Sequence, residues 1–263
     1  MAHNVVIPTA YGQMIVNRNA SEFDNLAKYG FSVDHRSIEL YAAFIACTGP
    51  DALILDVGAC FGCFSLGFAK MLEDHRPKIL AFEPQEWLAN CIAGSIALND
   101  LENIVVVNAA VGAFNGVAHV PKLDYRQEAS FGSLPLEECK SPTKFDWVVQ
   151  EPKGSAVVDM LCIDNLRILP RAIKIDTEGM EMDVLKGATN TIVRARPVIF
   201  AEHTKGDRPA MVQLLEGWDY LTWNNDCDIV AVPAERRHLF PEINEVTKGI
   251  PDNAGGPVSI VYD

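Results

Sequence analysis

No stretch of this chain keeps about 18 apolar residues in a row, the length a membrane-crossing helix needs. The opening residues, "MAHNVVIPTA", lack the charged-then-apolar layout of a secretory leader, and a cytoplasmic protein is expected. Basic residues are few, 22 against 35 acidic, for a formal net charge of −13. Nucleic-acid affinity comes largely from cations that neutralise phosphates, so neither a nucleic-acid partner nor a membrane partner is expected. Internal repeats and low-complexity tracts are absent. The G-x-x-x-x-G-K-[ST] phosphate loop is missing too. Cysteine is present but in odd number: Cys47, Cys60, Cys63, Cys91, Cys139, Cys162 and Cys227. Several lie in apolar stretches, where cysteine acts as a small hydrophobe, and no disulfide framework is expected without a leader.

What is present is a sizeable apolar fraction, 49% of 263 residues, enough for one large domain with small additions. "GQMIVNR" reads as a short strand and "DHRSIELYAAFIACTG" as a helix that stops at Gly49. Apolar runs then alternate with helical patterns. The strand-like runs are "ALILDVG", "PKILAFEP", "NIVVVNAAVG", "RAIKID" and "PVIFAEH". Between and after them come "FGCFSLGFAKMLED", "PQEWLANCIAGSIALND", "GMEMDVLKGATNTIVR" and "RPAMVQLLEGWD", with Pro84 suited to the first turn of its helix. "YLTWNN" and "DIVAVP" follow at hairpin distance. Strands without polar alternation, separated by helices, imply a parallel sheet covered on both faces: a doubly wound α/β fold that ends in an antiparallel strand. The expected organisation is an N-terminal strand and helix extension over 1–50, a main domain over 51–233 with an irregular insert at 115–155, and a C-terminal extension over 234–263.

Ligands of such sheets bind beyond the carboxyl ends of the strands, where strand order reverses. The first turn there reads Gly58, Ala59, Cys60, Phe61, Gly62. A dinucleotide site wants G-x-G-x-x-G, so that backbone approaches a pyrophosphate at the middle glycine, and Cys60 stands in that place. Glu83, 21 residues beyond Gly62, sits where a carboxylate accepts ribose hydroxyls. A glycine turn with a ribose acid and no pyrophosphate seat suits a phosphate-free nucleoside cofactor, S-adenosylmethionine. Its cationic sulfonium favours an acid-lined site, and its carboxylate favours helix N-terminal amides. Candidate cofactor residues are Asp56, Gly58, Ala59, Phe61 and Gly62, with Glu83 and Pro84 at the next strand end and Asn108 and Ala109 near the adenine position. Cys60 and Cys63 have C-x-x-C spacing; a reactive pair at a helix start and two packed thiols are both readings of it.

These stretches, "GQMIVNRN", "LDVGACFGCFS", "AFEPQ", "NIVVVNAAVG", "FGSL", "IKIDTEGMEMDVLKGA" and "RPVIFAEH", together resemble the FkbM-type methyltransferases. They occur in that family's order and cover most of Gly12 to His203, the "KIDTEG" stretch being the most specific. The family commonly has asparagine where Cys60 stands. The resemblance implies a Rossmann-like class I methyltransferase sheet, dependence on S-adenosylmethionine, and O-methylation of a sugar or other small-molecule hydroxyl. A glycan or small-molecule acceptor is therefore the expected partner.

A hydroxyl is a poor nucleophile until a base withdraws its proton. The base should stand at the carboxyl ends of the later strands, where Asp176, Glu178, Glu202 and His203 are the candidates. Asp176 also suits a helix cap and Glu178 a helix dipole. His203 suits a purely hydrogen-bonded role as well as proton transfer. Two acids one residue apart hold a divalent ion only with further ligands, so no metal is expected. Lys174 pairs with either acid or lies in the sheet. The loop from Tyr125 to Leu134 is expected to approach cofactor or acceptor, with Ser130 and Ser133 as hydrogen-bond donors or turn formers. Trp87 is expected to pack on the sheet. A nicotinamide-dependent oxidoreductase and a non-catalytic binding protein on the same fold are the other readings.

Overall fold

The apolar runs form the middle of a seven-stranded sheet in the computed structural model, which describes residues 3–133 and 154–240. Five strands run parallel: β3 (Leu53–Val57), β4 (Lys78–Phe82), β5 (Ile104–Val107), β9 (Ala172–Ile175) and β10 (Val198–Glu202), numbered in chain order. The last two, β11 (Tyr220–Asn225) and β12 (Asp228–Pro233), form the expected hairpin. Across the sheet the order is β11-β12-β10-β9-β3-β4-β5, with β12 antiparallel to β10 and to β11. This is the doubly wound α/β arrangement read from the pattern. Strand order reverses between β3 and β9, so a crevice opens there at the carboxyl ends.

Strand alternation divides the core in two. Ile54, Ala172, Phe200 and Val230 feed one cluster, which holds α2 (His35–Ala46) and α3 (Cys63–Met71). Leu55, Ile173, Ile199 and Ile229 feed the other, beneath α6 (Glu181–Gly187), α7 (Thr189–Ala195) and α8 (Arg208–Glu216). The same period puts Asp56, Lys174, Glu202 and Asp228 on the first of these faces. No helix among the described residues is long and apolar enough to cross a membrane.

Several local expectations need correction. "NVVIPT" carries no clear strand signal, yet β1 (Asn4–Thr9) pairs with β2 (Gly12–Asn17) as a hairpin. A short helix, α1 (Phe23–Tyr29), follows and ends on left-handed Gly30. Pro84 lies one residue before the cap of α4 (Glu86–Leu98), whose N-cap is Gln85, rather than in its first turn. "NIVVVNAAVG" serves two sheets: it leaves β5 at Asn108 and resumes as β6 (Ala110–Val111). The insert is not irregular throughout. β7 (Gly116–Pro121) and β8 (Ser155–Leu161) make a three-stranded sheet with β6, and α5 (Ile163–Leu166) follows. "GMEMDVLKGATNTIVR" is two helices, divided at Ala188. The break coincides with a close backbone crossing: a Cβ on Gly187 would come within 2.1 Å of the Gly112 carbonyl. The expected final strand "VSIVYD", the loop "DNAGGP", Leu134 and the middle of the insert lie outside the described residues.

Candidate functional site

The turn after β3 is built from three left-handed residues, Gly58 (φ +82°), Cys60 (φ +52°) and Gly62 (φ +82°). Gly58 has no room for a side chain, since its Cβ would fall 1.8 Å from the Asp176 carbonyl. The amides of Gly58 and Ala59 both donate to the Phe82 carbonyl at 3.0 Å. Glu83, at the end of β4, reaches back into the turn. Its Oε2 accepts from the Cys60 amide and its Oε1 from the Gln85 amide, each at 2.8 Å. Burial raises its carboxyl to about 7, against the pull of those two amides and of Lys174. Glu83 therefore braces the turn, and each oxygen retains a lone pair for a ligand hydroxyl. Asn108 locks the next corner by donating to the Glu83 and Pro84 carbonyls at 2.8 and 3.1 Å. Phe61 and Ala59 are buried beneath the turn.

Both turn cysteines are free thiols. Burial pushes Cys60 well above the usual thiol range, aided by Glu22 and Glu83, and pushes Cys63 up to about 12, aided by Asp34 and Glu22. Such thiols stay protonated, and a reactive thiolate pair loses its footing. Packing is the better account of the C-x-x-C.

A roof crosses this turn. The insert loop presents the Tyr125 carbonyl to Asn17 and Asn19 side chains at 3.0 and 3.1 Å. Ala129 exchanges backbone bonds with Asn19 and Ser21. The Tyr125 hydroxyl donates to Gln85 Oε1 at 2.9 Å, and Gln85 Nε2 donates to the Phe131 carbonyl at 2.7 Å. The loop so held sets Gly132 against Cys60 Sγ. Ser130 and Ser133 bond each other at 2.8 Å, as turn residues do. Trp87 does not pack on the sheet: it is exposed on α4 and stacks on Tyr125, with centroids 4.8 Å apart and 9° between planes.

On the other side of the crevice lies an acid basin. Asp56 is fully buried; Ser65 Oγ donates to its Oδ2 at 2.6 Å, and Lys174 Nζ stands 3.6 Å from its Oδ1. The Asp56 side chain thus supports the floor from below. Lys174 Nζ also lies 3.3 Å from Asp176 Oδ2, and the Asp176 side chain is 37% exposed toward the opening. Glu178, left-handed at φ +58°, pairs with Lys205. That strained loop is held by Glu181, a fully buried carboxylate that accepts from Thr177 N, Thr177 Oγ1 and Gly179 N at 2.9 to 3.2 Å.

Glu202 ends β10. Its Oε1 accepts from Thr204 Oγ1 at 2.5 Å, while its Oε2 is buried without a hydrogen-bond partner. Burial, then Asp176, raises this carboxyl to about 8. Asp228 stands opposite it across the strand pair, hydrogen-bonded by Tyr41, and burial raises it to about 7. His203 Nε2 meets Asn224 Oδ1 at 2.9 Å, and its amide donates to the Cys227 carbonyl. Asp176 is near enough to Glu202 to raise its carboxyl, Glu178 is taken up by Lys205, and His203 engages the hairpin. Sequence reasoning does not single out Asp34, Tyr41, Glu181 or Asp228. Alternation is the signal that could find Asp228, because it shares a face with Val230 and Val232.

Among the described residues no group of three or more His, Cys, Asp or Glu side chains is arranged to hold a metal ion. The crevice fits a phosphate-free cationic nucleoside on its own terms. Asp176 is the partly exposed acid at its edge, Glu83 and Glu202 end the strands beside it, and the turn from Gly58 to Gly62 carries no side-chain cation to meet a diphosphate.

The family profile described as "Methyltransferase FkbM domain" matches residues 56–222. A solved methyltransferase FkbM from Methylobacillus flagellatus KT is similar at 16% identity and a TM-score of 0.49, over 69% of this chain and 43% of that one. The chain thus spans less than half the length of that relative. Trm5b from Pyrococcus abyssi is similar at 12% identity and TM-score 0.45, over 88% of this chain and 55% of that one. A putative caffeoyl-CoA O-methyltransferase from Staphylococcus aureus is similar at 12% identity and TM-score 0.42, over 76% and 84%. No curated protein matches the sequence.

Proposed function

The chain belongs to the FkbM methyltransferase family, and from that premise we propose that it moves a methyl group from S-adenosylmethionine to a hydroxyl of a sugar or other small molecule. The observation that carries the reading is the pairing of two unlike walls across one crevice. One wall is the braced glycine turn, with Glu83 and Asn108 beside it. The other is the acid basin of Asp176, Glu202 and Asp228. The first amides of α3, just after the glycine turn, would face the donor's carboxylate, Glu83 would hold its ribose hydroxyls, and the corner at Asn108 and Ala109 would take its adenine. When bound, S-adenosylmethionine supplies an electrophilic methyl group.

The chain's own work is to orient the acceptor and hold its proton. Glu202 Oε2 is buried and unpartnered, so it can receive the hydroxyl proton, while Thr204 fixes the other oxygen. A carboxyl raised to about 8 by burial is a strong base once ionised, so its proton-accepting form grows as pH rises through about 8. Asp176 and Glu178 would hydrogen-bond the acceptor, and His203 would orient it through the hairpin. The net charge of −13 and this acid lining favour neutral, hydroxylated acceptors over nucleic acids.

The decisive experiment is calorimetry with S-adenosylmethionine and with NAD, followed by a labelled-methyl screen of sugars, glycolipids and small alcohols. Donor binding with label transferred to an alkali-stable ether supports the proposal. Binding of NAD alone, or of neither, overturns it.

A further inference from the structure

Lys174 occupies an expensive position that fold stability does not account for. It lies in β9, whose four residues are all buried, in the centre of the sheet. Its register partner on β3 is Asp56, equally buried, and the two strands flank the point where strand order reverses. Replacing a buried ion pair with apolar residues is often neutral or stabilising, so an ion pair retained there needs another reason.

The contacts supply one. The ammonium donates to the Gly58 carbonyl at 3.1 Å, stands 3.3 Å from Asp176 Oδ2 and 3.6 Å from Asp56 Oδ1, and lies 4.7 Å from the centre of the Phe64 ring. One cation thus touches the glycine turn, the acid at the crevice edge and the acid beneath the floor. The turn has no slack of its own. Its amides are tied to β4 through Phe82, the Asp176 amide is tied to the Val57 carbonyl, and Gly58 and the Asp176 carbonyl are in direct backbone contact. We propose that Lys174 is the positioning residue of the donor crevice, pinning the Gly58 carbonyl and the Asp176 carboxylate to each other so that turn and acid present one fixed surface to the sulfonium donor. Desolvation works against the buried charge, but Asp176 and Asp56 outweigh it and hold Lys174 protonated. The one ammonium is shared between Asp176 and Asp56, so the three groups together leave a net negative charge beside a cationic ligand.

The inference rests on the S-adenosylmethionine reading, and its test separates the two. Donor affinity and thermal stability are measured for wild type, K174M and the double variant D56N/K174M. The single variant strands a buried aspartate and loses stability. The double variant removes both charges, and D56N keeps an amide oxygen that can still accept from Ser65, so its melting temperature recovers toward wild type. If Lys174 positions the turn, donor affinity stays at least tenfold down in the double variant, and amide exchange across 58–62 is faster than in wild type. Recovery of affinity together with stability means charge balance alone and overturns the proposal. A wild-type chain that binds no donor overturns the donor reading itself, and this inference with it. Should neither variant fold, the wild-type chain still answers: added S-adenosylmethionine must shift the slowly exchanging ammonium signal of Lys174 in nitrogen-15 spectra, and an unmoved signal refutes the assignment.

Discussion

Glu202, the acid proposed to take the acceptor's proton, owes its character to its surroundings. Its two oxygens are unequal, one held by Thr204 and one buried with no partner. Glu202→Gln keeps the shape and removes the proposed proton acceptor. Turnover should fall by about 10²-fold or more while donor affinity stays within about twofold. Steady-state rates on the acceptor found by screening, with calorimetry alongside, check this, and unchanged turnover would remove Glu202 from the catalytic set. Gly58 has a different constraint, purely steric. A methyl group there meets the Asp176 carbonyl at 1.8 Å, and the residue sits at φ +82°. Gly58→Ala should cost about 2 kcal/mol or more in urea unfolding, because neither strand end can retreat. Both positions are legible in the sequence, since the motif marks the glycine and the strand end marks the acid. Thr204 lies only two residues beyond Glu202, whereas the Asp176 carbonyl that crowds Gly58 is hidden because it ends a distant strand.

The loop before α6 is a strained piece of chain that one buried carboxylate makes tolerable. Glu178 and Gly179 both have positive φ, and Glu181 gathers the donors of Thr177 and Gly179 around them. Glu181→Ala should free that loop, lowering stability by roughly 2 kcal/mol and accelerating amide exchange across 176–180. Exchange confined to helix ends elsewhere would contradict it. The helical period locates α6 and α7 but not the break between them, because the break answers to Gly112 in a distant segment. Likewise β5 and β6 read as one run of β-branched residues. The turn of Asn108 into the Glu83 and Pro84 carbonyls separates them, and local propensity carries no trace of it. The pairing of β1 with β2 is equally hard to read, because "NVVIPT" contains a proline and its burial is only partial.

At the scale of the whole molecule, the buried acids make stability depend on pH. Burial raises Glu83 and Asp228 to about 7 and Glu202 to about 8, from ordinary values of 3.8 to 4.5. In mild acid the folded chain holds protons that the unfolded chain has released. The contribution is therefore full below the ordinary carboxyl range and is lost as pH rises through about 7 to 8. Melting temperature should drop by on the order of 5 °C between about pH 5.5 and 8.5. A flat or rising profile would mean these groups are ionised in the folded state.

The doubly wound sheet is legible in the sequence because hydrophobic alternation and helical period are local signals. The shared face of Asp56, Lys174, Glu202 and Asp228 is half legible. The period of two gives each residue its side, but only the strand order β12-β10-β9-β3 brings them together.

That order also bears on how a ribosome delivers this protein. β3 takes β4 as a neighbour soon after it emerges, yet its other edge must wait for β9, which lies beyond the whole insert. Until then a nascent chain carries an open strand edge and an aspartate whose counter-ion has not been synthesised. Such an intermediate is sticky and charged at its centre, so fragments ending before Ala172 should aggregate, and the growing polypeptide should lean on chaperones until Lys174 arrives.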